Sequence, residues 1–182
     1  RAGVRVVMNL KLSLLVGVVT LGLTLGGAED WPHWRGRQRT GVVDEPSGWD
    51  GKSWRLREAW STSVGLGASS PIANANSVFT MGWSAGRDTV FCLEAATGKV
   101  SWRQSYSCPQ YGRYAVGDQS SYSGPGATPV WDARTGSLFT LSADGDLNCW
   151  DTNQQGHRVW GFNLYERYGV GRRAEATRRV GA

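Results

Sequence analysis

Residues 90–102 read VFCLEAATGKVSW and residues 147–160 read LNCWDTNQQGHRVW. Each stretch holds a Cys, a large apolar residue, an acid, a Gly and a closing Trp in the same order. Gly98 to Gly156 is a spacing of 58, as is Trp102 to Trp160, whereas Cys92 to Cys149 is 57. One residue is therefore inserted before the second Gly. Upstream, SSPIANANSVFTM (69–81) matches ATPVWDARTGSLFTL (127–141), with Pro71 and Pro129 again 58 apart. Features recurring in order at one period mark a repeat architecture, in which each repeat is one supersecondary unit.

Each unit reads as a small antiparallel sheet. Pro71 biases Ser70 toward extended geometry and so suits the start of a first strand. A second strand is expected over Val78–Met81, after the polar turn Asn74–Ser77. A third is expected over Thr89–Leu93 and a fourth over Val100–Arg103. The last two are joined by the turn Ala96–Lys99, whose Gly98 can supply a positive φ. Four short strands per repeat is the content of one propeller blade. Composition agrees with an all-β chain: 25 Gly and 10 Trp occur, and short apolar runs bounded by Gly, Ser, Asn and Asp replace any sustained helical period. The expected fold class is all-β, a partial β-propeller of four-stranded antiparallel blades.

The N-terminus has a different character. Lys11 precedes an apolar run from Leu12 to Leu25, which is short for a bilayer span of about 20 residues. Gly26 and Ala28 stand at the −3 and −1 positions of a cleavage after Ala28, as an export signal requires. Residues 1–28 are thus expected to be a signal peptide, with an uncleaved anchor as the rival reading. The mature protein is expected to be secreted or periplasmic, without stable membrane insertion. The first Met is Met8, so the true start is expected there or upstream of Arg1. Of the net charge of +5, Arg1, Arg5 and Lys11 carry +3 and residues 166–182 another +3, so residues 29–165 sum to −1. Such a body has no basic stripe for phosphates, which excludes nucleic acid as a partner.

With these residues in view, the repeat resembles that of the quinoprotein alcohol dehydrogenase-like propellers, the pyrroloquinoline-quinone (PQQ) type. Their repeat runs as a small residue, Pro, a strand, then L-x-A-L-D-x-x-T-G-x-x-x-W. Leu93-Glu94-Ala95-Ala96-Thr97-Gly98-Lys99-Val100-Ser101-Trp102 is similar to it throughout, while the second copy has Trp150 for the Leu and Gln155 for the Thr before Gly156. The opening DWPHWRGRQRTG (30–41) also resembles the start of the mature domain in secreted members, and the likeness covers roughly 30–168. It implies that Trp102 and Trp160 dock their blade on a neighbour, and that Trp60, 42 residues before Trp102, does the same from a preceding outer strand. The chain then divides into the signal (1–28), an N-terminal segment (29–59), an outer strand with two blades (60–165) and a basic irregular tail (166–182). Because propellers have four to eight blades, missing blades or further copies are needed to close the ring, and the chain is expected to be a fragment.

The second unit carries an insertion at about 105–124, SYSCPQYGRYAVGDQSSYSG, which holds Tyr106, Tyr111, Tyr114 and Tyr122. Either these Tyr form a binding loop on the rim, or they tie the loop to its blade. His157 follows Gly156 as Lys99 follows Gly98, so it stands at a turn exit rather than a catalytic position. His33 has no acid or Cys pattern beside it. With two His in all, a zinc hydrolase site or a Ser-His-Asp triad has little to draw on. Asp144-Gly145-Asp146 lacks the further ligands of a calcium loop and reads as a hairpin turn with Gly145 at its tip. Cys92, Cys108 and Cys149 allow one disulfide and one thiol, or pairing with residues beyond this sequence, although Cys92 and Cys149 fall on equivalent strands and are not expected to pair.

Two functions follow from the likeness. One is an extracytoplasmic binding or scaffold module, with a protein or small-molecule partner and no cofactor. The alternative is part of a PQQ-dependent alcohol or sugar dehydrogenase, in which calcium holds the quinone. Some such dehydrogenases have two adjacent Cys at the cofactor. This chain has none, nor the family's cofactor-binding acids, so no catalytic, cofactor or metal residue is assigned.

Overall fold

The computed structural model describes residues 29–44, 49, 51–52, 57–108 and 124–169. Residues 1–28, on which the expected signal peptide falls, most of the tail, and Tyr111, Tyr114 and Tyr122 of the insertion lie outside them. Two four-stranded sheets account for nearly all regular structure. The first comprises β1 (Ile72–Ala73), β2 (Ser77–Ser84), β3 (Arg87–Glu94) and β4 (Val100–Ser107). The second comprises β5 (Val130–Asp132), β6 (Ser137–Leu141), β7 (Asp146–Asp151) and β8 (His157–Asn163), followed by the short helix α1 (Leu164–Tyr168). Within each sheet, consecutive strands pair antiparallel in chain order.

The repeat seen in the sequence is a repeat of register. Phe79 faces Cys92 and Cys92 faces Trp102 in the first sheet. Phe139 faces Cys149 and Cys149 faces Trp160 in the second. The third strand of each sheet breaks register immediately after its Cys. The residue inserted before Gly156 is absorbed by a 3-10 turn at Thr152–Gln154, capped by Asp151 and closed by Gln155 at φ +51°.

The expected strands form, but β2, β3 and β4 run longer than apolar content suggested. The β2–β3 hairpin closes only at Ala85-Gly86, and β4 continues to Ser107. Ala85 and Gly86 have φ of +50° and +76°, the two-residue turn whose twist matches antiparallel strands. Ala is strained in that conformation and Asn is favoured there. Because Ala85 is exposed, Ala85→Asn is expected to stabilise the protein by about 1 kcal/mol in urea unfolding.

The insertion accordingly begins later than about residue 105. Ser105, Tyr106 and Ser107 belong to β4, because backbone pairing with Arg87–Thr89 extends the ladder past the last apolar residue. Trp60 was expected on an outer strand, but residues 60–65 form no strand. Among the described residues no strand pairs with them; they run over the first sheet outside any strand, and the next residue, Leu66, forms an isolated bridge with Trp83. The crossing is close: a Cβ on Gly82 would collide with the Val64 carbonyl, which is why β2 has Gly there.

The main cluster of the core lies where the two sheets meet. Ile72, Phe79, Met81, Val90 and Cys92 of the first sheet pack with Leu138 and Trp150 of the second, and the half-buried Trp102, Tyr106 and Trp131 close the cluster. The N-terminal segment ties the same junction. Trp31 exchanges both backbone hydrogen bonds with Ala73 at 2.7 and 3.0 Å, and the Pro32 carbonyl accepts from the Trp131 N–H at 2.8 Å. All three cysteines are buried and none forms a disulfide. Alkylation in denaturant without reductant is expected to label three thiols per chain by intact mass.

Candidate functional site

Two arrangements at the sheet junction hold the residues singled out above. The first is a docking contact that occurs twice. Trp60 lies against Gly98, which adopts φ +69°, and its indole Nε1 donates to the Ala95 carbonyl at 2.9 Å. Trp102 lies in the same way against Gly156, at φ +71°. Two residues on in each case, the Thr62 hydroxyl donates to the Gly98 carbonyl at 2.6 Å, and the Gln104 amide donates to the Gln155 carbonyl at 3.0 Å. Each Trp thus covers the turn of the following sheet, and a Cβ on either Gly would occupy the space of the indole. Trp160 is 42% exposed, and its ring contacts among the described residues are within its own sheet, with ring centroids 6.0 Å from Phe139 and 5.8 Å from Phe162.

A cleft of about 500 Å³ opens beside Trp102. Phe79, Trp102 and Trp131 form its aromatic wall, and Asp30, Asn76 and Asn153 are among its polar lining. Phe79 is 6.1 Å from Trp102 and 6.3 Å from Trp131 between ring centroids, so the wall spans both sheets.

The second arrangement is a buried group of acids and a thiol at the opposite end of the junction. Asp88 enters it from β3, just after the hairpin turn. Cys108 follows β4, held by its N–H donating to the Gly86 carbonyl at 2.9 Å and its carbonyl accepting from Trp83 Nε1 at 2.8 Å. Asp144 and Asp146 come from the β6–β7 turn, which has Gly145 at φ +86°. Ser142 staples that turn: its Oγ accepts from the N–H groups of Asp144 and Asp146 at 3.1 and 2.8 Å. Asn163 Nδ2 donates to the Asp144 carbonyl and to Asp146 Oδ1, both at 2.9 Å, while its Oδ1 caps α1. The hairpin reading of Asp144-Gly145-Asp146 describes the backbone, but the turn is buried rather than a solvated tip.

Tyr106 joins the two arrangements. Its ring stacks on Trp150 of the second sheet at 6.0 Å, and its hydroxyl donates to Asp88 Oδ2 at 3.4 Å. A half-buried strand residue of this kind ties the sheets together and does not belong to a rim loop. Burial pushes the Asp88 carboxyl up to about 6, against hydrogen bonds from the Cys108 thiol and Tyr106 that pull it down, with Asp146 and Asp144 adding repulsion. Burial, then the Asp88 charge, pushes the Cys108 thiol up to about 12 and the Tyr106 phenol up as well. A thiol kept protonated in this way is a poor nucleophile.

His33 is half-buried, with its Nδ1 3.4 Å from the Trp34 carbonyl, and His157 is exposed at the start of β8. Neither enters the acidic group. Sequence reasoning singled out Asp144 and Asp146 but missed Asp88, whose polar neighbours Arg87 and Thr89 give it the look of a solvated residue at the start of a strand. Among the described residues no helix is long and apolar enough to cross a membrane. No family model matches the chain, and no curated protein matches it.

Proposed function

We propose that this chain is part of a secreted or periplasmic PQQ-like β-propeller, and that it acts as a binding or scaffold module rather than as a dehydrogenase. The repeated Trp-on-Gly docking carries this reading. Trp60 lies on the Gly98 turn of the first sheet, and Trp102 of the first sheet lies on the Gly156 turn of the second in the same way, a contact that successive blades would repeat around a ring. The exposed Trp160 is then the docking residue for a further blade, supplied by more of the same chain or by another copy.

The binding reading is supported by the inter-sheet cleft, whose aromatic wall and asparagine-rich lining suit a partner's side chain or ring. At the deep site, Asp88 is repelled by Asp146 and Asp144, and the thiol beside it is held protonated, which makes it a poor nucleophile.

The experiment is native mass spectrometry of the protein from its source, followed by titration with PQQ and Ca²⁺. The expected result is a particle well above the 19.8 kDa of one chain that does not bind the quinone. A particle no larger than one such chain would overturn the ring. Saturable quinone binding would instead replace the scaffold with the dehydrogenase.

A further inference from the structure

At the junction of the β2–β3 hairpin, the end of β4 and the β6–β7 turn, the donor atoms of three side chains converge. Cys108 Sγ and one carboxylate oxygen each from Asp144 and Asp146 lie within 4.8 Å of one another. Cys108 and Asp144 are each 1% exposed, so this is an interior cluster rather than a solvated acidic surface. Proximity alone does not make a ligand site, since the Ser142 staple already explains why the turn is compact.

The independent observation is Asp88. It is 0% exposed, its carboxylate receives the Cys108 thiol and the Tyr106 hydroxyl, and its Oδ1 nevertheless accepts no hydrogen bond. Among the described residues no Lys or Arg forms an ion pair with Asp88 or Asp146. A buried carboxylate oxygen with an open lone pair is costly and calls for a specific explanation. A cation seated between the thiol and the carboxylates provides one.

We propose that Cys108, Asp144 and Asp146, with Asp88 beside the thiol, bind one divalent cation of the zinc class. The thiol selects against Ca²⁺ and Mg²⁺, which take oxygen ligands, and toward a borderline ion that accepts sulfur and oxygen together. One sulfur and two carboxylates supply three positions of a tetrahedral set, and Asp88, whose carboxylate already accepts from the Cys108 thiol, stands beside the sulfur. On binding, the S–H bond of Cys108 is replaced by a sulfur–metal bond and that proton passes to solvent, while the carboxylates enter as anions. Cys108 belongs to the first sheet and Asp144 and Asp146 to the second, so the ion would pin the two sheets together. Asp146 also lines a cleft of about 310 Å³ shared with Tyr106, Arg158 and Glu166, which provides an access route from solvent.

The test uses the full chain stripped with chelator, titrated calorimetrically with Zn²⁺ in two buffers of different ionisation enthalpy, and separately with Co²⁺ and Ca²⁺. One Zn²⁺ per chain is expected, with one proton released, a thiolate-to-cobalt charge-transfer band with Co²⁺, and no Ca²⁺ binding. Asp146→Asn is expected to weaken Zn²⁺ by about tenfold or more, and Cys108→Ser to abolish the cobalt band. Cys149→Ser, in the middle of β7, is expected to leave both intact. Absence of Zn²⁺ binding by the folded wild-type chain, Ca²⁺ binding without a cobalt–sulfur band, or a Cys108→Ser protein that binds as tightly as wild type would each overturn the site. If Cys108→Ser fails to fold, the wild-type cobalt spectrum and the Asp146→Asn affinity decide the matter.

Discussion

Trp102→Ala is expected to lower the unfolding free energy by about 3 kcal/mol, because it removes the indole that joins the two sheets. The ring touches the Gly156 turn on one side and stands 6.1 Å from Phe79 on the other. Truncation therefore leaves a void between the Gly156 turn and Phe79. Gly156→Ala is expected to cost at least about 2 kcal/mol in the wild-type background. Roughly half of that is the positive φ of +71°, which an L-residue adopts with strain, and the rest is collision with the indole.

The decisive quantity is the double mutant. With the indole gone, only the backbone strain of Gly156→Ala remains, so the two changes are expected to fall short of additivity by about 1 kcal/mol or more. Guanidinium unfolding of the four proteins measures this. Strict additivity would mean that Trp102 and Gly156 do not touch in solution, and the docking contact with its inference of stacked sheets would go with it.

The second large effect concerns Asp88, studied in chelator so that only protons compete for the carboxylate. Its pKa is about 6 in the folded protein against an ordinary 3.8. Well below pH 3.8 the group is protonated in both states and contributes nothing to pH dependence. As pH rises toward 6, the unfolded chain releases the proton first, so stability is lost across that window. The loss is complete above the folded value, at about 3 kcal/mol as an upper bound. Asn is neutral at every pH and its amide oxygen can still accept from Tyr106. Asp88→Asn is therefore expected to match wild type near pH 4 and to exceed it by about 2 kcal/mol at pH 7.5. Denaturant midpoints at the two pH values check the sign. A variant less stable than wild type by the same amount at both would show that the acid is not buried in its charged form at neutral pH.

Most of the strand content was legible before any coordinates, because it rests on local signals. The period linking Gly98 to Gly156 and Trp102 to Trp160 marked two equivalent units. Gly at a turn with positive φ, polar turn residues and Pro at the start of the first strand placed the hairpins within a few residues. What was misplaced was misplaced for one reason. Tyr106 sits among Ser and Gln, a polar context that reads as loop, yet backbone hydrogen bonds to Asp88 extend the ladder regardless of side-chain polarity. Residues 60–65 carry the Trp of the repeat, but among the described residues no strand pairs with them, so the same local pattern does not yield a strand.

The deep site was legible only in part. Asp144-Gly145-Asp146 announces a turn, and nothing in that tripeptide distinguishes a solvated turn from a buried one. Its burial comes from Asn163 and from Tyr165, whose ring packs on Gly145, both arriving after the next strand. Asp88 and Cys108 are brought near Asp144 because the two sheets pack face to face, a relation that no periodicity within either unit encodes.

By itself, then, the sequence determined the repeat, the antiparallel pairing within each unit, the turn glycines and the Trp that closes each unit, since these depend on backbone geometry and residues a few positions apart. Only the tertiary structure decided that each Trp covers the turn of the following sheet, that Tyr106 is a strand residue stacked across the junction, and that three carboxylates and a thiol share one interior. Those outcomes follow from how one sheet seats on another, and that seating is set by the summed packing of side chains distant along the chain.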